Sequence, residues 1–382
     1  MAILVINSGS SSLKVSLYDA SLKVLWNAHL KNMLSSTPIL EIERDGKKTS
    51  LQQKTALDFQ KGLTLITSQC DLTQVDLVGH RVVHGGDIYN TSVIIDPTVI
   101  ANLKKLSELA PLHNPPAIES IEAAQKLFPK AIQVAVFDTA FHHTIPPVAS
   151  TYGIPIDLAK KHQIKRYGFH GIAHAYLWKA YGKPSGKIIT LHLGNGCSAA
   201  AIQNGRSLDT SMGFTPLEGL LMATRSGDID PGIIEYLCKV EKLTPAQVTD
   251  ILNTKSGLLG VSNVSSDMKT LLNTPSAKLA IEIFCYRALK YVGAYLTVLK
   301  GADAILFSGG IGENAPTIRQ KIIEGLAWLN VHLDHTKNAS ATNLEPAQNI
   351  QISTPSSAID VRVIGVDENS LIASEALALE RN

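Results

Sequence analysis

Two arginines among glycines, three glycine-rich turns, an aspartate at a strand end and a late glutamate are the residues here whose types and spacing can do chemistry. The first turn is Asn7-Ser8-Gly9-Ser10-Ser11-Ser12-Leu13-Lys14, set between the apolar runs Ile3–Ile6 and Val15–Tyr18. Small residues bring backbone N–H groups and hydroxyls close together, which suits phosphate oxygens. Lys14 adds a point charge, and Asn7 offers a carbonyl oxygen to a hydrated cation. A plain hairpin with a solvated lysine has the same composition, and the GxxxxGK[ST] phosphate loop is absent. The second turn, His192-Leu193-Gly194-Asn195-Gly196, repeats the first: Leu4–Ser11 lies over Leu191–Ser198 with a glycine in the same place. The third, Gly309-Gly310-Ile311-Gly312-Glu313-Asn314, follows the run Ala304–Phe307. Its glycines let the backbone lie flat against a planar base or near a phosphate, although no GxGxxG pattern is met.

Arg81 sits in Gly79-His80-Arg81-Val82-Val83-His84-Gly85-Gly86, and Arg225 in Thr224-Arg225-Ser226-Gly227-Asp228. A guanidinium in such surroundings binds carboxylate or phosphate through two parallel N–H groups, or is simply an exposed loop arginine. The run Asp209–Gly219 before Arg225 reads as too polar and glycine-punctuated for a core element. Asp138 ends the run Gln133–Phe137, where ligands meet open α/β sheets. It can serve as a base, a metal contact or a helix cap. His170 and His174 are four apart on one helix face, but the glutamate of H-E-x-x-H is missing, which counts against a zinc hydrolase. A histidine framed by glycines, as His170 is, fits hydrogen bonding to a transition state better. Glu368 follows the last strand, either as a helix-start carboxylate or as part of a site. Together these groups describe a phosphate-transfer site, where donors and cations offset charge and carboxylate or carbonyl oxygens hold a metal.

Short apolar runs alternate with amphipathic segments and imply an α/β fold. Strands are expected at Ile3–Ile6, Val15–Tyr18, Leu77–Gly79, Gln133–Phe137, Ile188–Leu193, Ala199–Gln203, Ala304–Ser308 and Val361–Val366. Helices are expected at Thr55–Cys70, Pro97–Ala110, Pro115–Leu127, His170–Tyr181, Pro231–Lys239, Thr244–Asn253, Ser276–Lys300 and Ala315–Leu329. Asp96 before Pro97 and Asn114 before Pro115-Pro116 read as helix starts. The 382 residues suggest two domains. The repeated strand–glycine turn–strand suggests two similar halves facing across a cleft, with Ile145-Pro146-Pro147 near their junction. A net charge of +2 and no basic block argue against a nucleic-acid footprint. Cys70, Cys197, Cys238 and Cys285 are scattered, so they read as buried or incidental thiols. No signal-like segment or long apolar stretch is seen, so no membrane partner and a cytoplasmic setting are expected.

The stretches NSGSSSLK, HRVVHGG, FDTAFH, RYGFHG, HLGNG, DTSMGFTPLEG, TRSGDIDP and GGIGEN occur in that order. In this the sequence resembles the acetokinase family, of the acetate and sugar kinase, Hsp70 and actin superfamily, over essentially its whole length. The resemblance implies two duplicated actin-like (ribonuclease H-like) domains with an interdomain nucleotide cleft. Their expected bounds are residues 1–144 plus 370–382, and 145–369. It implies a homodimer and reversible transfer of the ATP γ-phosphoryl group to acetate, giving acetyl phosphate and ADP.

Carried over by position, Asn7 and Glu368 match the site of Mg²⁺, or of Mn²⁺ in its place. Ser10, Ser12 and Lys14 match the phosphate-handling turn, and Arg81 and Arg225 the two active-site arginines. Asp138 matches the catalytic aspartate, His170 the histidine that stabilises the transferring phosphoryl group, and His113 another active-site histidine. His192, Leu193, Gly194, Asn195 and Gly196, then Asp267, Met268 and Lys269, then Gly310, Ile311, Gly312, Glu313 and Asn314 match nucleotide-binding segments. Val83, Leu112, Phe169 and Pro216 match the pocket for the acetate methyl, with Arg81 also on the substrate.

An acetate carboxylate is anionic at neutral pH, so direct in-line transfer needs no strong base. Asp138 is then expected to order the site more than to remove a proton. The chain departs from the family pattern at Lys269, often Arg, and at Ile172-Ala173, commonly Thr-Ser. It also departs at Ala223, often Gly, and at Asn369, commonly Glu. A propionate or butyrate kinase on the same scaffold, and a non-catalytic actin- or Hsp70-like ATP-binding module, are the alternative readings.

Overall fold

The computed structural model describes residues 1–9, 11–70, 72, 74–108, 110, 114–183 and 185–381. Of the expected site residues, Ser10, Leu112 and His113 lie outside the described residues. The chain forms two compact units, Met1–Phe141 with Asp367–Asn382, and His142–Val366. Each division falls three residues before the expected boundary, so Glu368 belongs to the first unit with Asn7.

The first unit is built on one sheet of eight strands: β1 (Ala2–Ser8), β2 (Leu13–Asp19), β3 (Val24–Lys31), β4 (Ile39–Arg44), β5 (Lys47–Gln52), β6 (Leu77–Val82), β7 (Val93–Ile94) and β8 (Ile132–Phe137). Their order is β5-β4-β3-β2-β1-β6-β8-β7. β1 runs antiparallel to β2 and parallel to β6, β6 is parallel to β8, and β7 is antiparallel to β8. Ile3–Ile6 is apolar without alternation because β1 is central and buried on both faces.

The second unit carries six strands: β9 (Lys187–Leu193), β10 (Cys197–Gln203), β11 (Arg206–Thr210), β12 (Ala304–Ser308), β13 (Asn349–Gln351) and β14 (Asp360–Ile364), in the order β11-β10-β9-β12-β14-β13. Without β4 and β5, the two sheets match neighbour by neighbour and direction by direction. The duplication suggested by one repeated glycine turn therefore extends through both sheets.

All eight expected strands and eight expected helical regions are present, with shifted ends. Asp96 caps Pro97–Leu106 as expected, accepting from Val99 N–H. Asn114 does not act as a cap. It opens the helix Asn114–Leu127 but turns its amide onto His84, accepting from that residue's N–H at 3.2 Å and donating to its carbonyl at 3.1 Å. The Asp209–Gly219 run is less loop-like than its composition suggests. It includes the end of β11, and Thr210, Ser211 and Met212 are fully buried. Their polarity is absorbed by Ala199, whose N–H donates to Ser211 Oγ and whose carbonyl accepts from Thr210 Oγ1. Gly309–Asn314 is a short helix, not a turn, and Pro316–Glu324 follows it.

The helix Glu368–Glu380 returns to the first unit and packs on β1, β6 and β8. Gly79 permits the close approach: a Cβ there would lie 2.8 Å from Ile372 Cγ2. Asp367 caps this helix through Ser370 N–H, leaving Glu368 at its first turn. The four cysteines are free, and three are buried. Burial pushes the Cys70 thiol up to about 11 and those of Cys197 and Cys285 up to about 12, which marks them as unreactive.

Buried histidines in both units, His80 and His142 among them, set a pH dependence of stability. His80 bonds Gln133 Oε1 at 2.8 Å, and His142 bonds Ser207 Oγ at 2.8 Å and the Phe169 carbonyl at 3.0 Å. Burial pushes both imidazoles down to about 4. Between about pH 4 and 6.5 the unfolded chain binds protons that the folded chain refuses, so stability rises with pH there. It is lost as pH falls, by about 2 kcal/mol per histidine at pH 5. The urea midpoint is expected to drop between pH 7 and pH 5; a midpoint that held or rose would contradict this.

Candidate active site

In the first unit the chemistry gathers at the carboxyl ends of β1, β6 and β8. Asn7 stands opposite Lys14 in the β1–β2 ladder, so both side chains occupy one face. Lys14 is exposed, and Asn7 is nearly buried. Arg81, near the end of β6, meets Asp138, the residue after β8. Its Nε and Nη2 donate to Asp138 Oδ2 at 3.1 and 2.5 Å, and its Nη1 donates to Asn7 Oδ1 at 3.2 Å. The guanidinium is thus held along both edges. Burial opposes its charge, but Asp138 and then Glu368 more than offset that, so its pKa lies above the ordinary arginine range. Asp138 is 1% exposed. Val83, two residues after Arg81, is buried. Ser12 ends the first turn, its carbonyl accepting from Gly9 N–H at 2.9 Å.

In the second unit the other candidates gather around the second glycine turn. His170 precedes the helix Gly171–Tyr181 with left-handed φ of 55°. Its Nδ1 bonds Ser198 Oγ at 2.9 Å, and its ring meets His192 edge-on at 5.0 Å between centroids. His192 Nδ1 bonds Ser308 Oγ at 3.0 Å. A Cβ at Gly196 would lie 3.3 Å from His170 Nε2 and 3.6 Å from Arg225 Nη1, so three expected site residues converge there. The second and third glycine segments are also adjacent, since a Cβ at Gly194 would lie 3.8 Å from Gly310 N. Gly310, Asn195 and Asn314 are exposed. Glu313 is committed locally, accepting from Gly309 and Val366 N–H, and burial raises its pKa.

Arg225 differs from Arg81. Nη1 has two long contacts, to the Pro216 carbonyl at 3.4 Å and to Met222 Sδ at 3.8 Å. Among the described residues no carboxylate forms an ion pair with it, and burial lowers its pKa. Its backbone is fixed from below by Gly257, whose φ is +62° and where a Cβ would lie 2.3 Å from the Met222 carbonyl and 2.9 Å from Arg225 N.

The loop bearing Pro216 and Arg225 is held by residues that sequence reasoning missed. Arg166 donates to the Thr210 carbonyl at 2.8 Å and to Glu218 Oε1 at 2.6 Å, while Tyr152 donates its hydroxyl to Glu218 Oε2. Asp228 accepts from Gly219 N–H at 2.9 Å and from the Tyr291 hydroxyl at 2.7 Å. The only signal for Arg166 was its place beside the glycine-framed His170. Phe169 is buried in the same unit. In the Asp267-Met268-Lys269 segment, Asp267 caps Met268–Leu272 and Met268 is buried, which leaves Lys269 exposed. Ile172 and Ala173 are buried, so their apolar character matches their setting. Asn369 donates to Ser16 Oγ at 2.8 Å.

The donors suit a hard divalent cation. Asn7 Oδ1 and the Glu368 carboxylate offer oxygen donors of the kind such a cation takes, and both approach Arg81. Among the described residues no cluster of three or more His, Cys, Asp or Glu forms a metal cage.

Comparison with known proteins agrees with this chemistry. The model of the acetokinase family matches residues 2–374. The acetate kinase of Heliobacterium modesticaldum is 43% identical over 400 aligned residues, covering 99% of each sequence. A crystal structure of Porphyromonas gingivalis acetate kinase superposes with a TM-score of 0.90 at 37% identity, covering 99% of both chains. A propionate kinase from Francisella tularensis gives 0.92 and 38%, again over 99% of both. No helix among the described residues is long and apolar enough to cross a membrane. With motifs, sheet duplication and full-length relatives in agreement, the chain belongs to the acetokinase family.

Proposed function

We propose that this protein transfers the γ-phosphoryl group of ATP reversibly to acetate, forming acetyl phosphate and ADP. The observation that carries the reading is the match along the whole chain to acetate kinases. The local geometry within each unit supports this reading. Arg81, braced by Asp138 and Asn7, would take the acetate carboxylate, and Val83, Phe169 and Pro216 are the residues we assign to its methyl group. Lys14 and Ser12 would meet phosphate oxygens. Arg225 and His170 would donate to the equatorial oxygens of the transferring group, where charge spreads in the transition state. His192–Gly196 and Gly310–Asn314 would hold the nucleotide.

Asn7 and Glu368 are the residues that would hold the cation, and Mg²⁺, or Mn²⁺, bound there supplies charge neutralisation of the phosphates. Asp138 gives one carboxylate oxygen to two N–H groups of Arg81, which supports positioning over proton removal. Acetate is already ionised, so we propose direct in-line transfer without a phosphoenzyme. A cytoplasmic homodimer completes the proposal, and a mass measurement in solution tests the dimer.

Similarity to a propionate kinase makes acyl selectivity the discriminating measurement. One methylene in an apolar pocket is worth about 10- to 200-fold. Measured by ADP release, kcat/KM is expected to fall from acetate to propionate by about tenfold or more, and again to butyrate. A preference for propionate would overturn the acetate assignment.

A further inference from the structure

Behind His170 lies a chain of buried hydroxyl and imidazole groups. His170 Nδ1 is 2.9 Å from Ser198 Oγ; the same oxygen is 2.8 Å from His174 Nε2; and His174 Nδ1 is 2.7 Å from Thr190 Oγ1. Ser198, His174 and Thr190 are each 0% exposed. Ser198 and Thr190 have one hydroxyl hydrogen each, and a neutral imidazole has one N–H, so each link fixes the direction of the next. Burial keeps His174 neutral, well below the ordinary imidazole range.

Two directions satisfy the count. In one, His174 Nδ1–H donates to Thr190, whose hydroxyl must then reach the Ala200 carbonyl at 3.4 Å. That distance is long for O–H···O, whose usual range ends near 3.0 Å. In the other, Thr190 donates across 2.7 Å to His174 Nδ1, His174 Nε2–H donates to Ser198, and Ser198 donates to His170 Nδ1. The Thr190, His174 and Ser198 hydrogens then each have a partner within 2.9 Å. It leaves the His170 hydrogen on Nε2, the atom beside Gly196 and Arg225.

The geometry points to Ser198 and His174 as positioning residues that keep His170 Nδ1 an acceptor and its hydrogen on Nε2, so that the ring presents a donor to an anion. The structural part stands by itself, while its catalytic consequence rests on the phosphoryl-transfer reading. A neutral ring with hydrogen on Nδ1 would instead turn a lone pair toward the phosphoryl oxygens.

The test combines tautomer and rate. With ¹⁵N-labelled histidine, NMR of the ligand-free protein is expected to show neutral His170 protonated at Nε2. In Ser198→Ala the ring should lose that single tautomer, and kcat should fall about tenfold with KM for ATP and acetate unchanged. His174→Gln retains an N–H donor toward Ser198 and should keep both tautomer and rate, whereas His174→Leu should behave like Ser198→Ala. An Nδ1–H tautomer in the wild type would overturn the proposal. So would a Ser198→Ala protein with unchanged tautomer or unchanged kcat. If wild type makes no acetyl phosphate, the functional reading fails, while the NMR result still decides how the relay is oriented.

Discussion

Replacing Arg225 with alanine is expected to lower kcat about a thousandfold while leaving the ligand-free protein at least as resistant to urea as the wild type. The two halves of this expectation share one cause. Arg225 is desolvated enough to lower its pKa, yet among the described residues no carboxylate forms an ion pair with it, and its two contacts are long. Fully made guanidinium hydrogen bonds run at about 2.7–2.9 Å. On the proposed function these donors would meet an anion that substrate brings, at some cost to the resting fold. Arg225→Lys keeps the charge but loses the planar fork, and should recover only a minor part of the rate. Turnover of the purified variants and their urea midpoints without nucleotide check this. A marked loss of stability in Arg225→Ala would show that the arginine supports the fold.

Arg81→Ala should lose a similar share of activity but behave oppositely in stability, falling by about 3–5 kcal/mol. Here the guanidinium is the partner of a buried carboxylate, with both Nε and Nη2 on Asp138 Oδ2. Removing it takes the Arg81 charge and both of those hydrogen bonds from a group that is 1% exposed. Asp138→Asn in the Arg81→Ala background removes a buried charge that has lost its Arg81 contacts, so it should restore part of the stability and none of the activity. Urea denaturation of the single and double variants measures the difference. If Arg81→Ala were as stable as the wild type, the brace between Arg81 and Asp138 would not be what holds this end of the sheet.

The strand–glycine turn–strand units were legible because central parallel strands are apolar without interruption, and the turns stand out against them. The sheet's edge was not. β5 is Lys47–Gln52, exposed at every position, so no apolar period marks it. A signal did exist in the Asp45-Gly46 turn, whose two positive φ angles close the β4–β5 hairpin. The Asp209–Gly219 run read as a loop because its polar residues are paired inside the fold, and only three-dimensional neighbours reveal that. The glycine segment at Gly309–Asn314 read as a turn, but Glu313 reaches back to Gly309 N–H and steadies one helical turn.

Residue types suggested the chemistry, while partners narrow the roles. Asp138 could be read as base, metal contact or cap, and its two hydrogen bonds from Arg81 favour a brace. Ser198 and Thr190 carried no signal at all, since a serine and a threonine within buried strands are ordinary until a histidine is found on each.

The central claim is that this chain makes an acyl phosphate. Incubation with ATP, Mg²⁺ and acetate, followed by hydroxylamine, converts acetyl phosphate to a coloured hydroxamate. The wild type is expected to form hydroxamate in step with ADP, and Arg81→Ala and Arg225→Ala to lose nearly all of it. ADP without hydroxamate, or no acetate-dependent turnover, would contradict the assignment and favour an ATP-binding module that transfers nothing to a carboxylate.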